Sequence, residues 1–229
     1  MTAEPPGVTD RRWHKIDSVL ADRQPDLTVL AEALHKPRNF SAIVRTCDAV
    51  GINEVHAVPG DAGLSVHWKT SQGAEKWMQV RPHENLADAC RHLREKGFRL
   101  VAAHLSDQAV DYRELDYTVP TALVVGTELF GVSDAALAES DRQIMIPMKG
   151  MTQSLNVSVA CAIVLYEAMR QRQAAGMYGK LRLDRAVWKK QRFEWMHPAV
   201  AQYCRERGLD YPESDEKGDV VGTLPRESS

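Results

Sequence analysis

Aromatic residues are scarce in this chain and cysteines scarcer: Phe, Trp and Tyr make up 7% of the 229 residues, and there are four cysteines. Cys47, Cys90, Cys161 and Cys204 lie far apart, with no Cys-x-x-Cys pair and no histidines at zinc-finger spacing. Neither a disulfide framework nor structural zinc is expected, and no metal ligand is assigned. Cys47 and Cys161 sit among apolar neighbours and read as small buried thiols. Long apolar runs are also missing. Stretches such as Thr121 to Val125 and Val157 to Leu165 fall well short of a membrane span, and the opening Met-Thr-Ala-Glu-Pro-Pro lacks a basic-then-apolar leader pattern. The expectation is a cytoplasmic protein with no membrane partner. A large net charge is absent too: at −2, with a pI near 6.5, the chain carries no global signature of nucleic-acid binding.

What the chain does have is 44% hydrophobic and 26% charged residues, enough for one full core with modest extensions. The charge is unevenly placed. From Arg170 to Arg192 the basic residues Arg170, Arg172, Lys180, Arg182, Arg185, Lys189, Lys190 and Arg192 face a single acid, Asp184, whereas the tail beyond Pro198 is acid-rich. Such a basic stretch is either a solvated helix surface or a track for phosphates.

Periodicity supplies the organisation. Trp13, Ile16, Val19 and Leu20 recur at helical spacing, with Arg11, Arg12 and Lys15 on the other faces. Leu27 to Ala31 reads as a strand, followed by a helix capped by Asn39 or Ser41, striped with Ile43, Cys47 and Val50 and ended by Gly51. Strands are expected at Glu54 to Val58, Trp77 to Val80, Phe98 to His104, Thr121 to Val125 and Gln143 to Ile146, with a polar loop from Gly60 to Gly73. Helices are expected from Glu84 to Lys96, from a Ser133 cap to Glu139, and from Asn156 to about Gln173. Alternating strands and helices imply a mostly parallel α/β sheet with helices on both faces. The domain reading is 1–22 as a helical extension, 23–174 as the α/β domain, and 175–229 as a basic helical extension with an acidic tail.

Three segments concentrate polar groups at turns. His35-Lys36-Pro37-Arg38-Asn39-Phe40-Ser41-Ala42-Ile43-Val44-Arg45-Thr46 opens a helix; Gly126-Thr127-Glu128-Leu129-Phe130-Gly131 follows a buried strand; Ile146-Pro147-Met148-Lys149-Gly150-Met151-Thr152-Gln153-Ser154-Leu155-Asn156-Val157-Ser158 joins a strand to a helix. Singly, each has an ordinary explanation in helix caps and turn-forming glycines. The Gly-x-x-x-x-Gly lacks the Lys-Ser/Thr of a phosphate-binding loop, and no Gly-x-Gly-x-x-Gly follows the first strand, which argues against nucleotide hydrolysis and NAD-type redox chemistry.

In order and spacing together, Asn-x-x-x-x-x-Arg at a helix start, Gly-x-Glu-x-x-Gly, and Ser-Leu-Asn-Val-Ser-x-Ala resemble the SPOUT RNA methyltransferases over roughly Leu27 to Gln173. The flanks Arg23-Gln24-Pro25-Asp26-Leu27-Thr28-Val29 and Arg172-Gln173-Ala174-Ala175-Gly176-Met177-Tyr178 resemble the TrmH branch, which methylates a tRNA guanosine 2′-hydroxyl. The resemblance implies a deep C-terminal trefoil knot, a departure from the usual absence of knots. It implies S-adenosylmethionine as cofactor, held by Thr127, Glu128, Gly131, Ile146, Met148 and Leu155. It also implies catalytic roles for Arg45, Asn39, Glu128, Ser154 and Asn156, contributed by a homodimer.

The expected reaction is methyl transfer to the 2′-hydroxyl of guanosine at tRNA position 18, with no metal required. The alternatives are a ribosomal RNA ribose, another tRNA position, or a non-catalytic RNA-binding or chaperone module. Under this reading Arg11, Arg12, Lys15, Lys180, Arg182, Arg185, Lys189, Lys190 and Arg192 contact tRNA phosphates, and no DNA partner is expected. Trp188, Phe193 and Trp195, interleaved with those charges, read first as packing residues and second as base-stacking ones.

Overall fold

The computed structural model describes residues 9–34, 36–59, 76–127 and 130–221. Seven strands form one sheet: β1 (Leu27–Glu32), β2 (Glu54–Val58), β3 (Gln79–Pro82), β4 (Arg99–Ala103), β5 (Val110–Asp111), β6 (Thr121–Val125) and β7 (Arg142–Met145). Their order is β3-β2-β1-β6-β4-β7-β5, and every pairing is parallel. The helices that alternate with these strands are α2 (Pro37–Ala49), α3 (Leu86–Glu95), α4 (Asp134–Glu139) and α5 (Val157–Ala174).

The strand residues alternate between two apolar layers, as a period of two dictates. Leu27, Val29, Ala31, Val101, Leu123 and Val125 pack with Ile43, Val44 and Cys47 of α2 and with Cys161, Val164 and Leu165 of α5. Leu30, Leu100, Ala102, Ala122 and Val124 pack with Ala89, Cys90 and Leu93 of α3 and Ala136 of α4. Both faces are therefore covered, which is why β6 is nearly all apolar and β1 is buried at every position. Cys47 and Cys161 are buried as expected, and burial pushes the Cys161 thiol up to about 12.

Several boundaries differ from the sequence reading for definable reasons. Helix α2 begins at Pro37, with Lys36 as its N-cap, so Asn39 lies inside the first turn and not at the cap position. Proline at the first helical position sets the required φ and needs no hydrogen bond. The strand expected from Trp77 forms at Gln79–Pro82, where it pairs with β2. The expected Gly60 to Gly73 loop lies outside the described residues. Strand β5 and the following single-turn 3₁₀ helix, Tyr112–Glu114, are too short to leave a periodic trace. Ser133 and Asn156 do cap α4 and α5, accepting from the backbone N–H of Ala136 and Ser158 respectively.

The amino ends of β1 and β6 are pinned by Arg172 of α5. This side chain is fully buried, pairs with the Asp26 carboxylate at 2.6 Å, and also donates to Gln24 Oε1 and to the carbonyls of Asp26, Tyr117 and Val119. Its guanidinium is well matched to such a planar set of acceptors.

The chain divides into Gln24–Tyr178, which holds the sheet, and a second unit of Met1–Arg23 with Gly179–Ser229. In the second unit α1 (Asp10–Ala21) packs on α6 (Arg185–Met196), burying Ile16, Leu20, Leu183, Trp195 and Met196 together. A further helix, α7 (Pro198–Arg207), occupies the start of the segment read as an acidic tail, again opened by a proline. Phe193 packs with Val200, Ala201 and Cys204, so Phe193 and Trp195 serve packing.

Candidate active site

Ligand sites in parallel sheets lie beyond the carboxyl ends of the strands. Here a cavity of 440 Å³ opens at the carboxyl ends of β6, β4 and β7, a volume suited to a ligand of cofactor size. Its walls come from Val125 to Thr127, Ala103 to Leu105, Ile144 to Ile146, and the segment Gln153 to Val157 that leads into α5. The expected cofactor residues Thr127, Gly131, Ile146, Met148 and Leu155 all line it, as do the expected catalytic residues Ser154 and Asn156. Glu128, assigned to both roles, lies outside the described residues.

The loop after β6 is closed by two backbone hydrogen bonds between Thr127 and Gly131, at 2.8 and 3.0 Å, and the Phe130 N–H donates to Thr127 Oγ1 at 3.0 Å. Glycine is required at its base. A Cβ on Gly126 would stand 1.9 Å from the Gly131 carbonyl oxygen, and Gly131 itself holds φ +71°. The start of α4 next to this loop is tied to the end of β1: Ser133 Oγ and N–H both donate to the Glu32 carboxylate, at 2.6 and 3.1 Å.

Asn156 joins the first and third sequence segments. Its Oδ1 accepts from the N–H and Oγ of Ser158, which fixes the amide at the start of α5, and its Nδ2 donates to Asn39 Oδ1 at 3.2 Å. Asn39 is thus a buried support behind a cavity-lining group. Arg45 is placed differently: it is exposed on α2 and is not part of the wall of this cavity.

Lys36, His104, Leu105, Phe130 and Gln153 also line the cavity, beyond the residues expected from the sequence. Lys36, Phe130 and Gln153 fall within the recognised segments, whereas His104 and Leu105, just past β4, left no motif. Phe130, which lines the cavity, is 85% exposed, and Met151 of the third segment is fully exposed.

The expected RNA-contacting residues separate into two groups. Arg11, Lys15, Lys180, Arg185, Lys189 and Lys190 are exposed and Arg182 is half-buried. Arg192 corrects the expectation: it is buried, with Nε 2.8 Å from Asp17 Oδ1 and Nη2 donating to the Glu216 carbonyl, so it joins α1 to α6 and faces no phosphate. Arg12 is exposed but spends one N–H on the Trp195 carbonyl at 2.8 Å.

A pronounced electrostatic shift lies away from the cavity. Burial, then the neighbouring His83, His92, Arg81 and Lys96, pull His56 down to about 3, and burial also lowers His83.

Against this geometry, a family model described as SpoU rRNA Methylase family matches residues 26–166, and one described as SpoU, rRNA methylase, C-terminal, matches residues 170–223. The chain belongs to the SpoU methylase family. Among curated SpoU-type relatives, the tRNA (guanosine(18)-2′-O)-methyltransferase of Escherichia coli strain K12 is 47% identical over 91% of this chain and 92% of its own. The protein of the same description from Thermus thermophilus is 52% identical over 82% of this chain and 97% of its own. The crystal structure of the A. aeolicus TrmH/SpoU tRNA modifying enzyme superposes with a TM-score of 0.76 at 42% identity, covering 83% of this chain and 98% of that one. The AdoMet-bound rRNA methyltransferase from Sinorhizobium meliloti superposes with a TM-score of 0.57 at 30% identity, over 66% of this chain and 59% of that one. Membership of this family accounts for the parallel sheet and the cavity and makes the chain an RNA methyltransferase. Among the described residues no helix is long and apolar enough to cross a membrane.

Proposed function

We propose that this chain transfers a methyl group from S-adenosylmethionine to the ribose 2′-hydroxyl of guanosine 18 in the D-loop of tRNA. The observation that carries the reading is the convergence of the second and third sequence segments on one cavity, with Asn156 bonded back to Asn39 of the first. The cavity walls fit the cofactor: Gly126 leaves room for a tight loop, Ile146, Met148 and Leu155 offer apolar surface, and strand-end backbone offers hydrogen bonds. When bound, S-adenosylmethionine supplies a methyl group on a positively charged sulfur. The knot implied by the resemblance belongs to this reading, since the loops after β6 and β7 both border the cavity from which α5 departs.

The remaining work falls to this chain's own residues. Ser154 and Asn156 line the acceptor side, and Asn39 holds the Asn156 amide in orientation. Fixing an acceptor oxygen beside a methyl donor supplies up to roughly 7–11 kcal/mol of barrier lowering. Arg45 is too firmly protonated to act alone as a base. In this reading its guanidinium holds a substrate phosphate, which passes on the ribose proton, or it stabilises charge there. Because Arg45 is exposed on α2 and absent from the wall of its own cavity, a second copy of the chain brings it to the site. Helix α5 supports such a homodimer, with apolar Val159 and Tyr166 exposed two turns apart on one face. The exposed basic residues Arg11, Lys15, Lys180, Arg185, Lys189 and Lys190 track tRNA phosphates.

Unmodified tRNA transcripts incubated with the protein and methyl-labelled S-adenosylmethionine test the reading. Label is expected on the ribose of guanosine 18 and none on a transcript carrying a deoxyribose there. Label on a ribosomal RNA fragment instead would select the rRNA reading that the family's description favours. Cofactor binding without transfer to any RNA would leave only a binding module.

A further inference from the structure

On the β2–β3 side of the sheet, groups rich in lone pairs come together. Glu54 and His56 lie on β2, His83 directly follows β3, and His92 lies on α3. His56 shares its parity with Val58, which packs in the α3 layer, and its ring centroid is 5.5 Å from that of His92. One oxygen of Glu54 and one ring nitrogen from each of His56 and His92 all lie within 4.8 Å of one another. Within this set Glu54 Oε2 stands 3.7 Å from His56 Nε2.

The surrounding bonds orient these atoms. His56 Nδ1 is 2.9 Å from His83 Nε2. A proton on His56 Nδ1, donated to His83, leaves the Nε2 lone pair directed at Glu54. Metal-bound histidines are held in this way, by a hydrogen bond from the ring nitrogen that does not touch the ion. On the other ligand, Arg81 Nε donates to Glu54 Oε1 at 2.8 Å and sets the carboxylate with Oε2 toward His56.

We propose that Glu54, His56 and His92 form a binding site for one divalent cation of the zinc class, with His83 as the residue that orients His56. Two imidazole nitrogens and one carboxylate oxygen, with a fourth position left to water, suit Zn²⁺ and the neighbouring Co²⁺ and Ni²⁺. Magnesium and calcium, which take oxygen donors, are poorly matched. Ligands about 2.1 Å from a tetrahedral ion lie roughly 3.4 Å apart, so the cluster requires only a modest inward movement of side chains. Arg81 and Lys96 act on His56 as positive neighbours and oppose the ion, so binding is weaker than in a four-ligand structural site. The cation would clasp β2 to α3. None of these residues lines the cavity, so this site is independent of the methyltransferase reading.

The test uses the full-length, untagged, metal-stripped chain titrated with Co²⁺, followed by visible absorption and by displacement with Zn²⁺. The native chain is expected to bind one equivalent with the intense bands of a four- or five-coordinate ion. His92→Gln and Glu54→Gln change half-buried groups and are expected to weaken binding at least about tenfold. His83→Leu is expected to weaken it about 10- to 100-fold through the orientation of His56. Unchanged circular dichroism confirms that each variant is folded. Absence of the bands in the native chain, or equal affinity in native, His92→Gln and Glu54→Gln chains, overturns the proposal.

Discussion

At the amino ends of β1 and β6 one buried guanidinium, that of Arg172, closes the sheet against Asp26 and three backbone carbonyls, whereas at the carboxyl ends of β6, β4 and β7 the strands end on an open cavity. Each nitrogen of that guanidinium is aimed at a specified acceptor, an arrangement that supports stability. The second end is made largely of backbone, small residues and apolar walls, with Lys36 and His104 as the ionisable side chains among the described lining residues. The difference teaches that this fold separates what holds it from what it does along the strand direction. Among the described residues the reacting end supplies shape in place of a cluster of titrating groups, which suits a donor that already carries an activated methyl group.

Substitution of Arg172 by Met is expected to have the largest effect, because it strands Asp26 and the carbonyls without their cation. Stability in urea should fall by about 3 kcal/mol, the lower part of the range for a broken buried pair, since Asp26 is 22% exposed. Cofactor affinity of the folded fraction should stay within about twofold, the two ends being independent. Loss of affinity with no loss of stability would reverse the roles assigned to the two ends.

Gly126→Ala probes the reacting end. The added methyl would lie 1.9 Å from the Gly131 carbonyl oxygen and force the loop aside, so methyl transfer should drop about 100-fold or more. Gly150→Ala, where an added Cβ meets nothing within 4 Å, is the matched control and should leave turnover unchanged. Equal rates for the two variants would show that the loop after β6 has no defined shape to lose. Smaller again is Asn156→Ala, which removes the cap of α5 and the bond to Asn39 and should cost about 1 kcal/mol in stability. Its turnover should fall while Gly150→Ala does not. Least disruptive to either end is the double change Lys189→Gln and Lys190→Gln on α6. It should weaken tRNA binding and make the salt dependence shallower by roughly 0.7 to 0.9 for each phosphate no longer neutralised, with stability unchanged.

The sheet is legible in the sequence because its central strands are continuous apolar runs and its helices have capping residues or terminal glycines. Thr121 to Val125 and the caps at Ser133 and Asn156 are direct cases. The third segment is legible too, as most of its named residues line the cavity. Other features leave no local signal. Arg172 reads as one more cation of a basic stretch because nothing in its own neighbourhood announces Asp26, which approaches from 146 positions away. Arg192 misleads for the same reason, its partner Asp17 lying 175 positions distant. Helix α7 is hidden because a proline such as Pro198 reads as a helix stop as readily as the helix start it is here. The histidine cluster joins two strands and a helix, so no spacing in the sequence resembles a metal motif.

The central claim, that a cavity on one chain is completed by Arg45 of another, is tested most directly by mixing two inactive variants. One chain carries Arg45→Ala with its cavity intact; the other carries Gly126→Ala with its arginine intact. After unfolding and co-refolding, random pairing should restore about a quarter of native methyl transfer, since half the dimers hold one complete site of two. No recovery, with mixed dimers shown to be present, would contradict a site shared between two copies of the chain.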